Sequence, residues 1–181
     1  MEITATVTQA NNDWPHVIVC INETEIYNDK QDRIHIKYSG SVDDPYLNLT
    51  VELLNKTTNH TVVDSNGNIL ENQHVLLESI IVNGVDLVRT RLIHRVGDYR
   101  MHLDEIKKQH FKNLGIDIGP TTSLSMYENG VWKIQLQQPV LSYLSALQAK
   151  IEPWEQGNWQ YLSEEIYKTI EICKQLEGRR L

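Results

Sequence analysis

The feature that most restricts this chain is a two-residue rhythm. Ile3, Ala5 and Val7 alternate with Thr4, Thr6 and Thr8. Successive side chains of a strand point to opposite faces, so the rhythm predicts a strand with one buried face. It recurs in residues 32–38, where Ile34, Ile36 and Tyr38 alternate with Arg33, His35 and Lys37. It recurs again in YLNLTVELL, with Leu47, Leu49, Val51 and Leu53 against Asn48, Thr50 and Glu52. Residues 16–22 form a denser apolar strand after Trp14-Pro15, and Glu25 to Asn28 give a short return strand. Residues 74–82 read as a strand apolar on both faces except at Glu78 and Ser79. Turn residues end each run: Asn11-Asn12-Asp13, Asn22 to Glu25, Ser41 to Pro45, Asp64 to Gly67, and Asn83-Gly84. Many short alternating strands predict a mainly β fold over residues 1–138, a β-sandwich or an open barrel.

Later segments change period. VDLVRTRLIHRV reads as the strand returning from Asn83-Gly84. Leu103, Ile106, His110 or Phe111, and Leu114 are spaced for a short amphipathic helix near 103–114, ended by Gly115. SLSMYENGVWKIQLQ reads as a hairpin with Asn129-Gly130 at its tip. Pro139 opens a helix with a stripe of Leu141, Leu144, Leu147 and Ile151, the start of a helical extension over 139–181. Its last helix carries Trp159, Leu162, Ile166, Ile170, Cys173 and Leu176 at intervals of three and four. Trp159, Leu162, Ile166 and Ile170 are candidate interface residues, facing either the sandwich or a partner.

A net charge of −7 on 181 residues argues against a general nucleic-acid binder, because phosphates need a basic surface. The first residues lack the basic and apolar regions of a signal peptide, and no apolar run approaches the roughly 20 residues that span a bilayer. The expectation is therefore a protein made and kept soluble, without membrane partners. The four sequons at Asn22, Asn48, Asn55 and Asn59 then read as chance. Cys20 and Cys173 lie far apart and read as buried free thiols.

No nucleophile elbow, P-loop, HExxH or dinucleotide glycine pattern is present, so the expected class is non-catalytic. The seven histidines are scattered, with His16, His35 and His74 on strands. Glu78 is either a carboxylate with a raised pKa or a strand's polar face. The polar connection after residue 54 is the stronger candidate. It crowds Asn55, Asn59, His60, Asp64, Asn66, Asn68 and Asn72 into one stretch. Calcium takes six to eight oxygens, and Asn55, Asp64, Asn66 and Asn72 are the candidate ligands. Only Asp64 and Glu71 bring charge, and Asx turns without an ion explain the same residues. Trp14, Asn59, His60 and Asn72 are the candidate glycan contacts.

Several short motifs resemble one family. They are Trp14-Pro15-His16-Val17, Asn55-Lys56, Thr61-Val62-Val63-Asp64, Gly67-Asn68-Ile69-Leu70, Ile81-Val82-Asn83-Gly84, and Asn129-Gly130-Val131-Trp132 followed by Pro139. Together, to about residue 144, they resemble the calcium-dependent xylan-binding-like carbohydrate-binding β-sandwich modules. In particular they look like the versions found in small structural proteins of tailed phages, including phages of marine and cyanobacterial hosts. The resemblance implies a jelly-roll-like antiparallel sandwich and glycan binding through calcium in the loop region. It also implies a virion location, with other virion proteins or further copies of the chain as partners. His60 stands where those modules often have Asp, and Asn72-Gln73-His74 replaces an acidic-basic-Asn triplet, which removes anionic ligands. The expected function is thus a virion structural protein, such as a decoration, tail or baseplate component. The alternative is a calcium-assisted module that adheres to polysaccharide.

Overall fold

The computed structural model describes residues 1–40, 44–115 and 118–149. The first alternating runs become strands as their periods require: β1 (Glu2–Thr8), β2 (His16–Ile21), β3 (Thr24–Asp29), β4 (Arg33–Lys37) and β5 (Tyr46–Leu54). Ile3, Ala5, Val7, Leu47, Leu49, Val51 and Leu53 are all buried. After β5 come a helical turn at Thr58–His60, β6 (Thr61–Val63), β7 (Ile69–Asn72), β8 (His74–Val82) and β9 (Val85–Asp86). The remaining elements are α1 (Ile93–Val96), β10 (Gly97–Met101), α2 (Glu105–Asn113), β11 (Ser125–Met126), β12 (Gly130–Gln137) and α3 (Val140–Gln148).

Two antiparallel sheets enclose the core. One runs β11-β8-β1-β4, with β9 also on β8, and the other runs β10-β12-β5-β2-β3. The pairs β2–β3, β1–β4, β5–β12 and β8–β11 nest as one long antiparallel ribbon folded across both sheets. That nesting is the winding of an eight-stranded jelly roll. The chain enters it partway: β11 and β12, from late in the sequence, complete the arm that β1 and β2 belong to. β10 extends the second sheet beyond the eight. The alternative of an open barrel is thereby set aside in favour of the sandwich.

Two-residue turns set the β2–β3 and β8–β9 registers and close the isolated bridge between Ala10 and Asp13. Asn11-Asn12, Asn22-Glu23 and Asn83-Gly84 all have positive φ at both positions, the geometry that matches strand twist. At Gly84, φ is +83°, which side chains disfavour. β8 then explains its own composition. Its register against β1 shifts by one residue opposite Thr4/Ala5, at Glu78. This bulge resets the alternation, so Val75 and Leu77 face the core before it and Ile80 and Val82 after it. Glu78 is left on the outer face, where Thr6 Oγ1 donates to it at 2.7 Å and Arg33 lies at 3.5 Å.

Four local expectations are corrected. After Asn83-Gly84 only Val85–Asp86 pairs as strand; turns and α1 follow, and β10 forms where no strand was expected. Segment 123–137 is not a hairpin, because β11 pairs with β8 and β12 pairs with β10 and β5. Gly130 is therefore not a turn tip. A Cβ there would stand 2.3 Å from the Arg100 carbonyl oxygen, so the close approach of β10 requires glycine. Helix α2 forms, capped by Asp104 accepting from the Lys107 amide, yet none of its residues is buried and Ile106 is 83% exposed. Cys20 is half-buried on the outer side of β2 instead of in the core.

Helix α3 buries Val140, Leu141 and Leu144 and packs on β12. The expected interface residues Trp159, Leu162, Ile166 and Ile170, with Ile151 and Cys173, lie outside the described residues. Among those described, no helix is long and apolar enough to cross a membrane.

The burial pattern makes a paired prediction. Leu49→Ala, at a position with no exposure, costs about 2–5 kcal/mol in denaturant unfolding. Ile106→Ala changes stability by no more than about 0.5 kcal/mol.

Candidate functional site

The polar connection closes one end of the sandwich. At its start Asn55 takes φ +63°, which turns the chain out of β5. The next residue, Lys56, turns inward and is 6% exposed. Its backbone is held at both groups by one side chain: the Lys56 amide donates to Asn129 Oδ1, and Asn129 Nδ2 donates to the Lys56 carbonyl, each at 2.8 Å. Its ammonium meets three oxygens. Nζ donates to Asn72 Oδ1 at 2.6 Å, to the Gln73 carbonyl at 2.8 Å and to the Tyr127 carbonyl at 2.5 Å. An ammonium has three donors, and each has an acceptor here.

Neighbouring groups lock the acceptors. Thr61 Oγ1 donates to Asn72 Oδ1 at 3.0 Å. Gln73, 1% exposed, donates through Nε2 to the Asp13 carbonyl at 3.0 Å, and its amide donates to the His60 carbonyl at 2.9 Å. Its buried Oε1 has no partner. Tyr127 stacks on His74 with ring centroids 5.0 Å apart. Behind it, Tyr99 Oη donates to the Glu128 carbonyl at 2.6 Å, and burial pushes that phenol up to about 12. The Glu128 carboxylate takes Lys107 of α2 at 2.5 Å, which ties the helix to this end.

The structure gathers the glycan candidates at one rim. His60 Nδ1 accepts from the Thr57 amide at 3.1 Å, and its Nε2 lies 3.3 Å from Asp13 Oδ2. Trp14 follows Asp13 and is half-buried against the core. Asn11 bridges the same elements: its side chain donates to the Asn59 carbonyl and its amide to Glu71 Oε2. Asn72 reaches the rim through Lys56 and Thr61. The hydrogen bond from Lys30, at 3.0 Å, holds the Asp13 carboxyl below its ordinary value.

The calcium candidates are divided among separate tasks. Asp64 Oδ1 accepts the Asn66 and Asn68 amides, and its Oδ2 accepts Asn68 Nδ2, all at 2.8 Å. These bonds close the β6–β7 turn, with the Asn68 side chain the main cause of a lowered Asp64 pKa. Asn66 serves that turn through its backbone, and Asn55 Nδ2 faces His16 Nδ1 at 3.3 Å. Asn72 serves Lys56. This donor set does not fit a calcium site, which needs several oxygens free to converge on one point. Among the described residues no three His, Cys, Asp or Glu side chains are grouped to hold a metal.

Lys56, Gln73, Asn129 and Asp13 are the residues that sequence reasoning missed. Each looked ordinary in the chain: a loop lysine, a strand-start glutamine, a turn asparagine and a turn aspartate. The available signal was Lys56 itself, a lone cation entering a run of carboxamides.

Burial lowers the Lys56 pKa from 10.5 to about 8, opposed by Glu128 and reinforced by Lys107. The unfolded chain therefore binds more protons between these two values, and stability rises with pH across that window. This contribution is complete above 10.5 and is lost as pH falls through about 8. Urea unfolding of the native chain and of Lys56→Met between pH 7.5 and 10.5 checks the sign. The native chain gains more stability over that range than the variant.

Compared with protein families, with curated proteins and with solved structures, the chain matches none.

Proposed function

We propose that this chain is a non-catalytic structural and interaction protein, a component of a tailed-phage virion. The phage setting rests on the resemblance of its motifs. The single structural observation in favour is the β6–β7 arm. It is a two-stranded sheet of its own, and its apolar residues are turned out: Val63 is 53%, Ile69 61% and Leu70 65% exposed. Leu70 is the extra residue at a register shift between the two strands. The arm is held at both ends, by Asp64 at the tip and by Asn72 and Thr61 at the base. A rigid apolar projection loses little freedom on binding, which favours contact with other virion proteins or with further copies of the chain.

A second reading is glycan binding without calcium. It is favoured by the shared rim of Trp14, Asn59, His60 and Asn72, linked through Asp13 and Gln73. Sugar recognition uses an aromatic face beside fixed polar groups, and the half-buried Trp14 beside the hydrogen-bonded His60 supports this reading.

The assembly reading predicts that a Val63→Ser, Ile69→Ser, Leu70→Ser variant keeps the native unfolding midpoint but loses at least about tenfold in cosedimentation with virions, a factor equal to about 1.4 kcal/mol. Unchanged cosedimentation would sink it. A glycan array with and without calcium addresses the second reading. Binding that Trp14→Ala abolishes, and that a chelator leaves intact, would replace the first reading with the second.

A further inference from the structure

We infer that the oxygen-rich connection is a cation site whose resident ion is the chain's own Lys56 ammonium, standing where the resemblance implies calcium. The geometry carries this. Three oxygens from two segments far apart in the chain, Asn72-Gln73 and Tyr127, converge on Nζ within 2.5–2.8 Å, in a place only 6% exposed. Two are backbone carbonyls and one is a carboxamide, so the cradle is neutral. Such a set suits one positive charge with three directed protons. It does not suit a divalent ion, which takes more oxygens and prefers carboxylates.

The surroundings agree with a single charge. The one carboxylate acting on Lys56 is that of Glu128, already paired with Lys107. Of the two acids of the loop, Asp64 is closed on its own turn and Glu71 accepts the Asn11 amide. Isolated burial of an ammonium is strongly unfavourable. Its persistence here requires that the cradle hold it, and the acceptors are in turn held by Thr61 and by the pairing of Gln73 with His60 and Asp13. A tethered cation also has no translational freedom to lose on binding. The loop is thus ordered by a covalent part of the chain, with no dependence on dissolved metal.

Because Asn129 grips the Lys56 backbone and not its side chain, truncating the side chain leaves the chain path anchored. Lys56→Ala removes three carbons and the ammonium, the atoms of propylammonium. The full-length variant is expected to melt below the native chain. Propylammonium at ten times its dissociation constant should then raise the midpoint by about 3–6 °C. Tetramethylammonium, which has no N–H, and propanol, which has no charge, should not. If the variant does not fold alone, its refolding yield with the same three additives gives the same reading. In the native chain, a slowly exchanging Lys56 NH3⁺ signal by NMR near pH 6.5 and a midpoint unchanged by EDTA are expected. Equal rescue by all three additives, rescue by calcium alone, a chelator-sensitive native midpoint, or a rapidly exchanging Lys56 ammonium would each overturn the assignment.

Discussion

A charge at the end of a β-sandwich must be met by oxygen, and most of the rim follows from that requirement. Lys56 leaves β5 pointing inward, so acceptors have to be brought to it from elsewhere in the chain. They come from Asn72 at the end of β7, from Gln73 between β7 and β8, and from Tyr127 just before β12. Supplying them fixes the paths of two connections at once. The β6–β7 arm is anchored at its base, the segment before β12 is drawn over the end of the core, and Asn129 is held against the Lys56 backbone. What resembles a ligand loop in sequence is, in the fold, a set of internal supports. The supports leave the apolar outer residues of the arm, Val63, Ile69 and Leu70, exposed.

The sandwich itself rests on one apolar face per strand, and its irregularities protect that rule. The bulge at Glu78 lets β8 place Val75 and Leu77, then Ile80 and Val82, in one core although the sequence breaks phase between them. The buried Trp132 fills the interior against Gly97, where a Cβ would approach the indole to 2.9 Å. Its indole N–H has no acceptor in the core. Bulk is thus stacked at the centre and polarity at the ends.

Much of the fold was legible in the residues. β1, β4 and β5 carry a clean two-residue period, and the Asn-rich turns name their own positive-φ sites. The legible part ends where two rules compete. β10 is hidden because its short run, Gly97–Met101, has only Tyr99 fully buried. Asn129-Gly130 has the composition of a hairpin tip but sits at a crossing between sheets. The stripe of α2 has helical spacing, yet the helix is held by Lys107 on Glu128 and not by its apolar side chains. At the site, the rim residues Trp14, Asn59, His60 and Asn72 were legible as polar and aromatic neighbours of turns. Their joint position was not, because Asp13 and Gln73 connect them across 60 residues.

The sequence by itself determined which side chains of β1 and β5 enter the core, where most of the early turns fall, and that one connection is rich in oxygen. Periodicity and turn chemistry are local, and local rules need no knowledge of distant segments. Only the tertiary structure decided that β11 and β12 complete a winding begun by β1 and β2, and which cation those oxygens face. Both are matters of long-range pairing, where the free energy comes from groups far apart in the chain and no spacing along it records the partner.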